Sequence, residues 1–282
     1  MAAAARVLGE RVVDLAPIAG GDTSRAFRAT TAGGRPAFVK AHDPEPAGLL
    51  AAEAHGLAWL AAAAAVRVPA VLGLDHDGPR PVLVLEWIEP GAPARDHDEV
   101  LGRGLAAQHA TGAPAFGLDR DGFIGPLPLD NAPADDWPTF YAERRIRPLL
   151  RIATDRGRLD PDTVAAVDHV ADHLPDLAGP PEPPARLHGD LWGGNALVDA
   201  DGRPVLVDPA AHGGHREVDL AMMRLFGGFG PRTFAAYAEA APLGDGHEDR
   251  IALWQLHPLL VHAVLFGGRY ARSVAAAAKR YR

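Results

Sequence analysis

Apolar positions are spaced differently in the two parts of the chain. Over about the first ninety residues, short apolar stretches at Val12–Ile18, Ala26–Ala29 and Ala37–Val39 are separated by breaks at Gly20-Gly21 and Gly33-Gly34. That punctuation predicts an antiparallel meander. Leu49, Glu53, Leu57 and Leu60 then recur at helical spacing, predicting a helix across Ala47–Ala65 that stops before Val68-Pro69. Strands are expected near Ala70–Leu74 and Pro81–Ile88, before Glu89-Pro90-Gly91-Ala92-Pro93, which suits neither a helix nor a central strand. Helical patterns dominate beyond it, at Asp98–His109, Trp137–Ala153, Pro161–Leu174, Val218–Phe226, Pro231–Ala240 and Asp249–Phe266. A proline-rich approach, Gly179–Pro184, precedes a compact β-hairpin.

The pattern predicts an α+β, bilobal architecture: residues 1–90 as a small antiparallel-sheet lobe with one helix, residues 91–282 as a larger, mainly helical lobe containing the hairpin, and 89–93 as the hinge. A length of 282 residues, 48% hydrophobic and 23% charged, fits an ordinary globular protein. The alanine-rich patches at 61–65 and 275–278 read as good helix formers. Absence of cysteine excludes disulfides, thiolate zinc sites and cysteine nucleophiles. The first ten residues lack the basic and long apolar segments of a leader, and a cytoplasmic location is expected. A formal charge of −8 argues against nucleic-acid or anionic-membrane partners, which demand a basic surface.

The chemistry concentrates in Leu187-His188-Gly189-Asp190-Leu191-Trp192-Gly193-Gly194-Asn195 and the following Val205-Leu206-Val207-Asp208. Asp201-Gly202 favours a two-residue turn, which would set residue 198 opposite 205, 197 opposite 206, and Asn195 opposite Asp208. With strands about 4.8 Å apart, an amide and a carboxylate could share one small cation, and their oxygens suit Mg²⁺ arriving with nucleotide phosphates. Asp190 precedes Asn195 by five residues, the spacing of the kinase catalytic loop, where the Asp accepts the acceptor hydroxyl's proton and the Asn holds metal. Lys40 ends an apolar strand much like the V-A-I-K pattern, and Glu53 shares the stripe of Leu49, Leu57 and Leu60, so its carboxylate should point inward and require a partner such as Lys40. The turn Ala19–Ser24, with Gly20, Gly21 and Asp22, would let backbone N–H groups approach the ATP phosphates, and the backbone at Glu86, Trp87 and Ile88 could pair with the adenine edge.

These residues resemble a known family. The string from Leu187 to Asn195 is similar to the L-H-G-D-L-W-x-G-N signature of fructosamine (ketosamine) kinases, within the aminoglycoside-phosphotransferase-like branch of the protein-kinase-like fold. Further similarity extends from Gly20-Gly21-Asp22 through Phe116-Gly117, Ile124-Gly125, Asn131, Asp136-Trp137, Phe140-Tyr141 and Arg144-Arg145 to Asp208-Pro209-Ala210, Gly214–Met222 and Leu225–Phe229. The resemblance implies ATP- and Mg²⁺-dependent phosphorylation of the 3-hydroxyl of ketosamines, the sugar adducts of glycation, whose products decompose and free the amine. It implies Asp190 as base, Asn195 and Asp208 on Mg²⁺, and Lys40 on the phosphates, oriented by Glu53. Asp22-Thr23-Ser24 lacks the cysteine that some relatives carry there, and Gly193 replaces a common serine.

His188, Trp192, Asn131, Trp137 and Glu217 are candidate substrate contacts, although tryptophans are equally at home in a core. His212 and His215 read as loop histidines, and Asp219 as a helix cap or a brace for the catalytic loop. The expected partner is a free or protein-bound ketosamine, with the chain acting as a monomer or weak dimer. A kinase for an aminoglycoside, choline or homoserine would share the same skeleton, and a silent nucleotide-binding scaffold would usually have lost one of these groups. Only Ser24 and Ser273 are available as serine nucleophiles, and no G-x-S-x-G is present.

Overall fold

Strands β1 (Val12–Ile18), β2 (Arg25–Thr31), β3 (Pro36–Ala41), β4 (Val71–Asp75) and β5 (Val82–Glu86) form one antiparallel sheet in the order β1-β2-β3-β5-β4. The computed structural model describes residues 1–18, 25–41, 46, 48–76 and 81–282. Because successive side chains leave a strand on opposite faces, Ala37 and Val39 of β3 join Val82 and Val84 of β5 on one face, while Phe38, Leu83 and Leu85 pack on the other.

The first face is covered by helix α1 (Ala2–Leu8), an element the alanine run at the start did not announce, so among the described residues the N-terminal part has two helices where one was expected. Arg6 of α1 pairs with Asp75 of β4 at 2.5 Å. The second face is covered by α2 (Leu49–Ala61), whose buried stripe is Leu49, Leu50, Glu53, Gly56, Leu57 and Leu60. That helix ends short of the expected Ala65, and Ala64 turns to φ +51°.

The core beneath α2 continues through the linker into the second part of the molecule. It joins Leu50, Leu57, Leu60, Leu83 and Leu85 to Leu101, Leu105, Leu191, Leu206, Leu220 and Met223. The linker is itself pinned to a hairpin formed by β9 (Ala196–Val198) and β10 (Pro204–Leu206): Gly91 N–H donates to Val198 O at 3.0 Å, and Ala94 N–H to Gly202 O at 3.1 Å. Arg67 fastens the same place, bonding Glu86 at 2.6 Å and Asp199 at 2.5 Å.

The remaining chain is mainly helical: α3 (His97–Ala110), α4 (Trp137–Phe140), α5 (Arg147–Asp155), α6 (Pro161–Asp172), α7 (Leu174–Leu177), α8 (Glu217–Phe226), α9 (Pro231–Ala240), α10 (His247–Trp254), α11 (Leu256–Phe266) and α12 (Arg269–Ala278). The expected helix Trp137–Ala153 is present but wider in its middle, as a π-helical segment over Tyr141–Ile146 joins α4 to α5. The pattern Asp249–Phe266 resolves into α10 and α11. Two short pairings escaped the pattern: β6 (Gly122–Ile124) with β7 (Leu127–Leu129), and β8 (Ala185–Leu187) with β11 (His212–Gly214). Among the described residues, no helix is long and apolar enough to cross a membrane.

A β-carbon at Gly91 would overlap the Asp199 carbonyl oxygen, with backbone on both sides and no flexible group to move. Gly91→Ala is expected to cost about 1–3 kcal/mol, read as a lowered midpoint in thermal or urea unfolding. An unchanged midpoint would mean that the linker does not dock on the hairpin turn.

Candidate active site

Alternation along β3 puts Lys40 on the same face as Phe38, toward α2, and the helical stripe of α2 carries Glu53 to meet it. Lys40 Nζ lies 2.8 Å from Glu53 Oε2, with side chains only 8% and 7% exposed. It also donates to Asp208 Oδ1 at 2.8 Å, beyond the hairpin. Burial opposes charge on the ammonium, but two facing carboxylates outweigh it and hold Lys40 above its ordinary value. Burial likewise drives the Glu53 carboxyl upward, with Lys40 opposing, and Glu53 Oε1 has no hydrogen-bond partner among the described residues. Glycine at 56 allows α2 to approach Pro209 and Ala211, next to Asp208, as a β-carbon there would sit 3.3 Å from both side chains.

The catalytic-loop candidate is held from below. His188 N–H donates to Asp219 Oδ2 at 2.8 Å and Gly189 N–H to Asp219 Oδ1 at 2.9 Å. Gly189 has φ +83°, and a β-carbon there would overlap the Ala210 carbonyl, so glycine is required. The His188 ring has one compatible tautomer: Nε2–H donates to Val207 O at 2.9 Å and Nδ1 accepts from Asp190 N–H at 3.3 Å. Burial lowers the pKa of that ring, with Asp219 opposing.

Asn195 closes the loop, its Nδ2 donating to Asp190 O at 2.9 Å and Asp190 Oδ2 at 3.1 Å. With its nitrogen engaged, the amide has its oxygen to offer. The Asp190 carboxyl is pushed up to about 7, chiefly by burial, with the Asn195 hydrogen bond opposing and Asp208 and Asp219 adding repulsion.

The hairpin between these groups differs from expectation by one residue. Pro204 pairs with Val198, Val205 with Leu197 and Leu206 with Ala196. Gly202 N–H donates to Asp199 O at 2.9 Å, Asp199 N–H to Arg203 O at 3.0 Å, and Gly202 sits at φ +76°. This is a three-residue loop with a left-handed closing glycine rather than a two-residue turn. Asp199 stabilises it, its Oδ1 accepting from the N–H groups of Asp201 and Arg203. Asn195 therefore faces Val207, whose N–H donates to Asn195 O at 3.0 Å. Asp208 reaches the cluster by another route, a left-handed turn at φ +53°, unusual for a residue with a side chain. Its side chain is 46% exposed. Partial burial opposes its ionisation, but Lys40 holds the carboxyl below its ordinary range. One carboxylate and one amide oxygen form a hard donor set, the kind that Mg²⁺ accepts when phosphate oxygens and water complete its shell.

Glu86 N–H and carboxylate are used by Ala70 and Arg67, so Glu86 has only its remaining backbone group to offer a ligand. The backbone groups of Trp87 and Ile88 bond no other group among the described residues. Gly20, Gly21 and Asp22 lie outside the described residues.

Several candidate substrate contacts are structural instead. Trp137 is 3% exposed, within a core of Phe116, Phe140, Tyr141, His212 and Trp254. Asn131 is buried and builds the central loop, accepting from Arg145 at 2.6 Å and donating to Arg120 O at 3.0 Å. Glu217 is buried in a two-bond pair with Arg250 at 2.6 and 2.9 Å, and accepts from Trp254 Nε1. His188 is buried and fully engaged as described. His212 and His215 are also buried rather than free in loops, and burial pushes His212 down to about 3. Trp192 alone of this group is open, 42% exposed with its ring over Gly194. Asp219 accepts from the loop rather than capping α8.

A family model described as fructosamine kinase matches residues 3–281. A protein of Enterococcus faecium named a probable ketoamine kinase is 36% identical over 259 residues, covering 92% of this chain and 91% of its own. A crystal structure from Thermobifida fusca, named as a putative fructosamine-3-kinase, is 48% identical with a TM-score of 0.91, covering 98% of this chain and 97% of that one. An aminoglycoside phosphotransferase solved as a ternary complex with ADP and hygromycin B shares the fold at 19% identity and a TM-score of 0.61, covering 96% and 95%.

Asp190 sits at about 7 when folded against 3.8 for the ordinary carboxyl. The folded protein keeps a proton that the unfolded chain releases, so this group's contribution to stability falls as pH rises from about 4 to about 7. Asp190→Asn removes the titration, and its stability relative to wild type should rise across that window and level off above it. Urea unfolding at pH 5 and pH 8 measures the difference; an advantage that does not grow with pH would contradict the placement of Asp190.

Proposed function

The chain belongs to the fructosamine kinase family, and we propose that it moves the γ-phosphoryl group of ATP to the 3-hydroxyl of a ketosamine, through the cluster of Lys40, Glu53, Asp190, Asn195 and Asp208. The observation that carries this reading is the meeting of Lys40 with Glu53 on one side and Asp208 on the other, next to the Asp190–Asn195 pair. In this reading residues 1–90 form the nucleotide lobe, 91–282 the catalytic and substrate lobe, and 89–93 the hinge.

Lys40 would leave Asp208 for the phosphates and keep Glu53 as its anchor. Asn195 and Asp208 would hold Mg²⁺, which neutralises charge on the transferring group. Asp190 would take the proton of the attacking hydroxyl as its oxygen bonds to phosphorus and the bond to the ADP oxygen breaks. A carboxyl near 7 is suited to that transfer. Trp87 and Ile88 would meet adenine with backbone groups that bond no other described residue. Gly20, Gly21 and Asp22 would cover the phosphates: the strands flanking them end beside Lys40, with Ile18 paired to Ala26 and Ala26 to Lys40. Trp192, open beside Asp190, would stack on the sugar.

The purified protein with ATP and Mg²⁺ is expected to phosphorylate fructose- or ribulose-derived amines in a panel that also holds aminoglycosides, choline and homoserine. Asp190→Asn should lower that rate by about 10²–10⁴-fold, the span of general-base contributions, with ADP affinity nearly unchanged. Turnover of aminoglycosides alone, or a fully active Asp190→Asn, would overturn the reading.

A further inference from the structure

The bonds that hold the catalytic loop do not end at Asp219. On its far side Asp219 Oδ2 meets His109 Nε2 at 3.1 Å, and His109 Nδ1 meets the Tyr237 hydroxyl at 2.8 Å. Asp219, His109 and Tyr237 are all buried, on α8, α3 and α9. Beyond them the Arg216 guanidinium is fixed by Glu182 at 2.7 and 2.8 Å and donates to the carbonyls of Ala241 and Pro242.

The direction of every link follows from its ends. The Asp219 carboxylate, already accepting from two backbone N–H groups, has only lone pairs to offer, so His109 Nε2 is the donor to it. With that hydrogen on Nε2, the ring presents Nδ1 to the Tyr237 hydroxyl 2.8 Å away. At the other end, the backbone N–H groups of His188 and Gly189 can only donate to Asp219. The carboxylate thus has three donors, two from the loop and one from His109, and the third keeps it from turning away from the loop. Gly189 needs that restraint, being held at φ +83° immediately before Asp190.

We propose that His109 and Tyr237 are positioning residues for phosphoryl transfer, setting through Asp219 the orientation of the loop that carries Asp190. Neither touches the reacting atoms. Their loss should slow the transfer step while leaving the nucleotide site on Lys40 and Asp208 intact. The inference rests on the phosphotransferase reading above but not on the identity of the sugar.

The test compares His109→Leu, His109→Gln and Tyr237→Phe with wild type, measuring kcat, the KM for ATP, and hydrogen exchange at the amides of His188–Asp190. Loss of one hydrogen bond to a buried charge predicts a fall of about tenfold or more in kcat for His109→Leu. Tyr237→Phe, which removes only the bond that orients His109, should lower kcat by a smaller factor, about threefold or more, with the KM for ATP within about twofold in both. Exchange at the loop amides should quicken in both. His109→Gln, whose amide can still donate to Asp219, should recover most of the rate and the protection. Folded Leu and Phe variants with wild-type kcat would overturn the proposal, as would unchanged loop exchange. If His109→Leu does not fold, Tyr237→Phe decides, since it removes a single oxygen. If wild type turns over no ketosamine, the substrate reading fails, while loop exchange and slow ATP hydrolysis in the variants still decide the relay.

Discussion

One ammonium held between two carboxylates ties together parts of the chain that are far apart in sequence. Lys40 stands on a strand of the sheet, Glu53 on the helix that covers it, and Asp208 at the exit of the hairpin. Breaking a buried pair by removing one partner leaves a bare charge in a poorly solvating interior, at a cost of about 3–5 kcal/mol. The sheet, α2 and the hairpin exit are therefore constrained to one mutual arrangement. Asp208 is the member best able to change partner, being 46% exposed where Lys40 and Glu53 are 8% and 7% exposed. In the proposed reaction a phosphate would take its place on Lys40 and leave the deeper pair undisturbed.

The packing around this trio limits how the two parts of the molecule can move. A single core runs from Leu57 and Leu83 to Leu191 and Leu206, Gly56 brings α2 onto Pro209 and Ala211, and Arg67 clamps the end of β5 to the hairpin loop. Asp219 performs the corresponding task beneath the catalytic loop, where backbone N–H groups that would otherwise be buried unpaired find a carboxylate.

Much of this was legible in the sequence, because it rests on local periodicity. Strand alternation at Lys40, the helical stripe at Glu53 and the spacing from Asp190 to Asn195 are short-range patterns with few structural solutions. A further signal strengthens the first: only two lysines, Lys40 and Lys279, occur among the 28 lysines and arginines. Arginine serves nearly everywhere else, which marks Lys40 as a position where an ammonium is required. The hairpin register is not legible in the sequence, because the turn signal at Asp201-Gly202 fits both loop lengths and Asp199, accepting two backbone N–H groups, selects the longer one. Trp137, Asn131 and Glu217 looked like ligand contacts because polar and aromatic residues suit both a cleft and a satisfied interior. Their partners, His212, Arg145 and Arg250, come from distant segments. His109 and Tyr237 carried no local signal, as their meaning arises only when α3, α8 and α9 converge.

Having only two lysines, the chain offers a direct view of the central group. With side chains isotopically labelled at lysine, nuclear magnetic resonance should give two ammonium-bearing signals, one from buried Lys40 and one from Lys279. Adding Mg²⁺ and a non-hydrolysable ATP analogue should shift the Lys40 signal and leave that of Lys279 in place, as Lys40 passes from Asp208 to phosphate. A Lys40 signal that stays unmoved at saturating nucleotide would contradict the account.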